Sequence, residues 1–156
     1  MLSKIKRVCL GGTFEVLHRG HRSLLKKAIE LGKQVIIGLT TDERAKKYRP
    51  NRKIKSFESR FSNLDMWLTS HTSSETYQIV PLDDDWGPSA LDNDIDAIIV
   101  SEETEKVALK LNQVRQKKGL SPLQVIIVPL IRAYDGQRIS SSRIINKEID
   151  SEGFSS

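Results

Sequence analysis

Two histidines three positions apart, His18 and His21, follow a Gly11-Gly12-Thr13 turn and flank Gly20. Residues i and i+3 share one face of a helix, so both imidazoles can address the same bound group. The paired glycines remove the Cβ atoms that would hold a ligand away from the backbone, and they permit a sharp turn with φ > 0. Thr13 adds a hydroxyl. Such a set can grip an anion, because backbone N–H groups, the positive end of a helix dipole and two ring nitrogens converge on it. Metal ligation by the pair is not expected: only Cys9 and His71 remain as further soft or borderline ligands, and neither has partner spacing. The run Ser140-Ser141-Ser142, followed by Arg143, makes a second cradle for phosphate where it opens a helix, although a serine run before a helix can equally be its cap.

The elements around these residues must bring them together. Ile5 to Leu10 has the length and β-branched content of a strand. From about His18, the residues Leu24, Leu25, Ala28, Ile29 and Leu31 recur at helical spacing until Gly32, so the first motif lies in a strand-to-helix turn. Val35 to Leu39 reads as a parallel strand covered on both faces, ending at Thr40-Thr41-Asp42. Arg44 to Lys55 is dense in positive charge and broken by Pro50; a solvated face or nucleic-acid contact is the generic reading, but its place after a strand lets it close over the crevice of His18 and His21. Ser56 caps a helix to Ser70, and Tyr77 to Val80 is a short strand. The acidic Asp83-Asp84-Asp85-Trp86 segment reads as a polar turn rather than a divalent-cation loop, with Asp85 and Trp86 at the substrate mouth. Ile95 to Val100 is a strand closed by Ser101-Glu102-Glu103-Thr104. A helix bearing Val107, Leu111 and Val114 follows, then a strand at Gln124 to Val128, and Arg138 to Ile144 opens the final helix. This order predicts an α/β, Rossmann-like fold: a doubly wound parallel sheet with right-handed crossovers, in one domain over 1–156 with a frayed tail at 151–156.

The chain of 156 residues carries a net charge of +5, which suits an anionic ligand without choosing among nucleotide, nucleic acid and membrane. No apolar run approaches the roughly twenty residues of a membrane span, and no secretory segment opens the sequence, so a cytoplasmic location is expected. Cys9, the single cysteine, reads as a small buried hydrophobe.

The string GGTFEVLHRGH resembles the Gly-Gly-Thr-Phe-Asp…His-x-Gly-His signature of the nucleotidyltransferase superfamily, with Glu15 in place of Asp. Taken with TTDE and its following lysines, DDDWGPSA, SEET, the Asn112…Arg115 helix, GLSPLQ and ISSSRI, most of the chain resembles the archaeal and eukaryotic phosphopantetheine adenylyltransferases. Ser142 stands where Thr is often found. The resemblance implies that ATP and 4′-phosphopantetheine react, with magnesium, to give dephospho-coenzyme A and pyrophosphate. It implies ATP contacts from Gly11, Gly12, Gly20, Ser101, Glu102, Thr104, Ser140, Ser141, Ser142 and Arg143, and phosphopantetheine contacts from Thr13, Lys46, Asp85 and Trp86. Thr13 and His21 are expected to stabilise the α-phosphoryl transition state and His18 to bind the triphosphate, with Lys46 or Lys47 bridging the incoming phosphate and the α-phosphate. No residue is assigned to a metal.

Three other readings stay open from sequence alone. One is a related transferase acting on nicotinamide mononucleotide, a flavin precursor or a phosphorylated alcohol. Another is a non-catalytic nucleotide-sensing module. The third is a nucleic-acid-binding protein using residues 44–55, where Tyr48 is the only aromatic; neither nucleic acid nor membrane is the expected partner.

Overall fold

A computed structural model describes residues 4–84 and 92–156. Five parallel strands, β1 (Ile5–Gly12), β2 (Gly32–Thr40), β3 (Tyr77–Leu82), β4 (Ala97–Ser101) and β5 (Gln124–Val128), form one sheet in the order β3-β2-β1-β4-β5. The chain winds outward from β1 to β3, returns to the centre at β4 and winds the other way to β5. The expected doubly wound α/β sheet is therefore present, and the topological switch falls between the carboxyl ends of β1 and β4, where such sheets bind ligands.

Alternation along the central strands explains the layers. Val8 and Leu10 of β1, with Val35, Ile37 and Leu39 of β2, point to one face and pack with Leu25 and Ala28 of α1 (Arg19–Leu31) and with Leu64 and Leu68 of α3 (Phe57–Thr69). Cys9 and Ile36, one residue out of phase, point to the other face and join Leu111 of α4 (Glu105–Lys117). Both faces of the middle strands are dry, as the unbroken apolar runs require.

Local details depart from the sequence reading in three places. Neither Gly11 nor Gly12 adopts a positive φ; both finish β1, and the left-handed residue of the turn is Phe14, with φ 49°. That conformation is uncommon without glycine, and Phe14 holds it while its ring is buried in the core. The basic stretch begins as a helix, α2 (Asp42–Tyr48), capped by the Thr41 hydroxyl on the amide of Arg44, before Pro50 interrupts it. Residues 151–156 are not frayed. Ser151 accepts from the amide of Arg19 at 2.8 Å and Gly153 from that of Tyr134 at 2.7 Å, while Ile149 and Ser155 form an antiparallel bridge. Gly153 permits this closure because its φ is +89° and an added Cβ would lie 2.7 Å from Ile139. No helix among the described residues is long and apolar enough to cross a membrane.

Candidate active site

A cavity of about 430 Å³ opens at the switch point, walled by the end of β1, the first turn of α1, the end of β4 and the segment from β5 into α5 (Ser141–Ile145). It gathers Gly11, Gly12, Thr13, His18, Gly20, His21, Ser101, Thr104, Ser140, Ser141 and Ser142, all expected at the site. Glu102, Lys46, Lys47 and Arg143 are not in its wall; Glu103, Arg49 and Arg138 are. Asp85 and Trp86 lie outside the described residues.

His18 is the N-cap of α1, and its Nδ1 accepts the amide of His21 at 3.2 Å. His21 Nδ1 lies 2.8 Å from the carbonyl oxygen of Val16. The two rings stack with centroids 3.7 Å apart, and Phe14 leans on His21 with centroids 5.0 Å apart. Gly20 makes room for this pair, since a Cβ there would sit 3.0 Å from His18 Cε1. Burial disfavours the charged imidazoles, and neighbouring cations reinforce it: His18 is lowered to about 3 and His21 to about 4, the Val16 contact partly offsetting the latter. Both are neutral at pH 7 before an anion arrives.

Arg60, a wholly buried residue of α3, positions the front wall. Its guanidinium donates to the carbonyls of Thr13 (3.0 Å), Thr40 (2.7 Å) and Lys55 (2.9 Å) and pairs with Asp42 at 3.0 Å. The loops after β1 and β2 are thereby held as one piece. At the back wall the Ser140 hydroxyl caps α5 by accepting from the amide of Arg143 at 3.3 Å. The Arg143 guanidinium is committed to Asp135, Glu148 and the carbonyl of Arg138, so it braces the serine turn rather than facing the cavity. At the end of β4, Thr104 Oγ1 accepts from the amide of Ser101 at 3.1 Å and shapes the Ser101–Thr104 turn.

Several charged side chains around the cavity were given no role by the sequence reading. Glu15 is buried and accepts from Arg52, which also donates to Ser142; Arg49 lies 3.6 Å from the same carboxylate. Arg138 pairs with Glu103 at 2.7 Å. The available signal was Glu15 within the Gly-Gly-Thr-Phe-Glu string, which alone does not pick out Arg49 or Arg52. Asn112 and Arg115 instead serve the scaffold: Asn112 exchanges hydrogen bonds with the backbone of Leu123, and Arg115 donates to the carbonyls of Ser121 and Asp92. The helix and GLSPLQ parts of the resemblance thus form one structural clip. Burial pushes the Cys9 thiol up to about 12, consistent with an inert core residue. Among the described residues no group of three His, Cys, Asp or Glu side chains is placed to hold a metal ion.

A cytidylyltransferase-like family model matches residues 9–147. A Methanopyrus kandleri protein named phosphopantetheine adenylyltransferase is 41% identical over 92% of this chain and 90% of its own. A Methanosarcina acetivorans protein of the same name is 43% identical over 94% of each. Among solved structures, an Archaeoglobus fulgidus protein described as of unknown function superposes with a TM-score of 0.70 at 35% identity, covering 78% of this chain and 88% of that one.

Proposed function

The chain belongs to the cytidylyltransferase-like family, and from that membership we propose that it transfers the adenylyl group of ATP to 4′-phosphopantetheine in the cytoplasm, giving dephospho-coenzyme A and pyrophosphate. The observation that carries this reading is the 41–43% identity, over more than nine-tenths of the chain, to proteins named for that activity. The cavity agrees with it chemically, because hydroxyls, helix starts, glycine backbone and imidazoles face one space and none of them is a nucleophile activated by a base.

No base is needed. A phosphate monoester has a second pKa near 6 and is mostly dianionic at neutral pH. One of its oxygens attacks the α-phosphorus, the bond from that phosphorus to the bridging oxygen of the β-phosphate breaks, and the electron pair leaves with pyrophosphate. What the protein supplies is in-line placement of two anions and neutralisation of charge on the transferred group. In this proposal Thr13 and His21 attend the α-phosphoryl group, His18 donates to the triphosphate, and Ser140, Ser141 and Ser142 hold the β- and γ-phosphates. Lys46 or Lys47, both exposed on α2, is assigned to the incoming phosphate. Magnesium would accompany the triphosphate and neutralise part of its charge, with no residue of the protein assigned to hold it.

The test is pyrophosphate release with ATP, magnesium and 4′-phosphopantetheine, beside CTP and beside nicotinamide mononucleotide and glycerol phosphate as acceptors. Turnover with ATP and 4′-phosphopantetheine alone is expected. Turnover confined to another pair would move the acceptor assignment and overturn the reading.

A further inference from the structure

Arg49 stands at the end of α2, where Arg49-Pro50-Asn51-Arg52 forms a tight turn closed by the Arg52 amide on the Arg49 carbonyl at 3.3 Å. Proline in the second position suits such a turn, and the turn directs both arginines to Glu15. They are not equivalent there. Arg52 donates to Glu15 Oε2 and spans to Ser142 Oγ with its other terminal nitrogen. Arg49 Nη1 is left 3.6 Å from that same oxygen, beyond hydrogen-bond reach, with its side chain 42% exposed and lining the cavity. On the opposite side Arg138 is matched by Glu103. Among the described residues here, two carboxylates meet three guanidinium groups, with Glu15 shared between Arg49 and Arg52. Burial and then Arg52 lower the pKa of Arg49, Glu15 partly offsets them, and Arg138 lowers it further.

We propose that Arg49 binds the β- and γ-phosphates of the nucleotide and the pyrophosphate that leaves. The placement follows from its neighbours: its charge is felt at His21 on one side, and on the other Arg52 ties its turn to Ser142 in the serine cradle. A planar guanidinium with uncommitted donors matches two phosphate oxygens at once, which a lysine ammonium on α2 cannot do. Glu15 keeps the group near the wall without neutralising it. The assignment rests on the nucleotidyl-transfer reading of the cavity, but inorganic pyrophosphate tests it independently of the acceptor.

Titration calorimetry with inorganic pyrophosphate and with ATP, each with magnesium, would compare the unaltered protein with Arg49→Met and Arg49→Lys. Because the side chain is half exposed, both variants keep the wild-type melting temperature. Arg49→Met is expected to lose roughly ten- to hundredfold in affinity for both ligands, Arg49→Lys an intermediate amount, and 4′-phosphopantetheine affinity stays within about twofold. Equal pyrophosphate and ATP affinities in Arg49→Met and the unaltered protein would overturn the proposal. A loss of pyrophosphate affinity in a protein that does not turn over 4′-phosphopantetheine would uphold Arg49 and remove the acceptor.

Discussion

His18 and His21 stack face to face yet are held in opposite tautomers. His18 Nδ1 accepts an amide N–H, so its proton resides on Nε2. The carbonyl of Val16 can only accept, so His21 carries its proton on Nδ1 and presents a lone pair at Nε2. Neutral His18 is thus a ready donor to a phosphate oxygen, whereas His21 becomes one only by gaining a proton.

Nucleotide binding should therefore draw a proton into the site. The triphosphate offsets the positive field of Arg22 and Arg49 at His21, raising its pKa. Calorimetric titration with ATP in buffers of different ionisation enthalpy at pH 7 is expected to show uptake of up to about one proton, absent in His21→Ala. Uptake unchanged in that variant would assign the proton elsewhere.

Turnover should depend on the same group. His21→Ala is expected to lose about 10²–10³ in kcat, the usual loss for one preorganised donor, while the far-ultraviolet spectrum stays native. Near-normal turnover would remove His21 from the transition state.

The pair also sets a limit on acid stability. Both folded-state pKa values, about 3 and about 4, lie below the unfolded value of 6.5, so between them the unfolded chain binds more protons. Their contribution is fully present above pH 6.5 and is lost as pH falls towards 4, on the order of 1 kcal/mol per pH unit for each histidine. Urea midpoints at pH 7 and pH 5 measure it. His18→Asn keeps a favourable N-cap and should flatten the profile; an unchanged slope would exclude His18 as its source.

Gly20→Ala separates geometry from folding. Alanine favours the helix, but its methyl group meets the His18 ring at 3.0–3.1 Å and displaces it. The expected result is an unfolding midpoint within about 1 kcal/mol of the parent and at least a tenfold loss of turnover. Retained turnover would show that the ring can shift without consequence.

Arg60→Met leaves the carbonyls of Thr13 and Thr40 without their donor. The expected loss is at least about 3 kcal/mol in urea unfolding, with ATP binding weakened even where the fold survives, because Thr13 loses its fixed position. A loss below about 1 kcal/mol would mean water replaces the guanidinium.

Sequence reading was strongest where local pattern decides structure. The apolar runs at Val35 to Leu39 and Gln124 to Val128 and the cap at Ser56 all act over a few residues, and each is where the pattern puts it. The misses concern partners distant in the chain. Arg49, Arg52 and Arg60 look like surface charge until Glu15, Ser142 and the Thr13 carbonyl are brought to them by the sheet. Phe14 takes a left-handed conformation because its ring belongs to the core, which residue type alone does not announce. Lys46 and Lys47, expected to bridge the two phosphates, lie outside the cavity wall, where the turn at Pro50 places Arg49 instead.

The closure of residues 151–155 on the start of α1 bears on the order of events during synthesis. The Arg19 amide, and the Arg22 guanidinium that pairs with Glu152, sit beside the histidine pair but find these partners about 130 residues later. Strands β1 and β2 can pair as soon as both have emerged, since their register is local to one crossover. The histidine turn gains these two ties only once residues 151 and 152 are in place, so the loop at the start of α1 is fastened later than the β1–β2 pair it rests on.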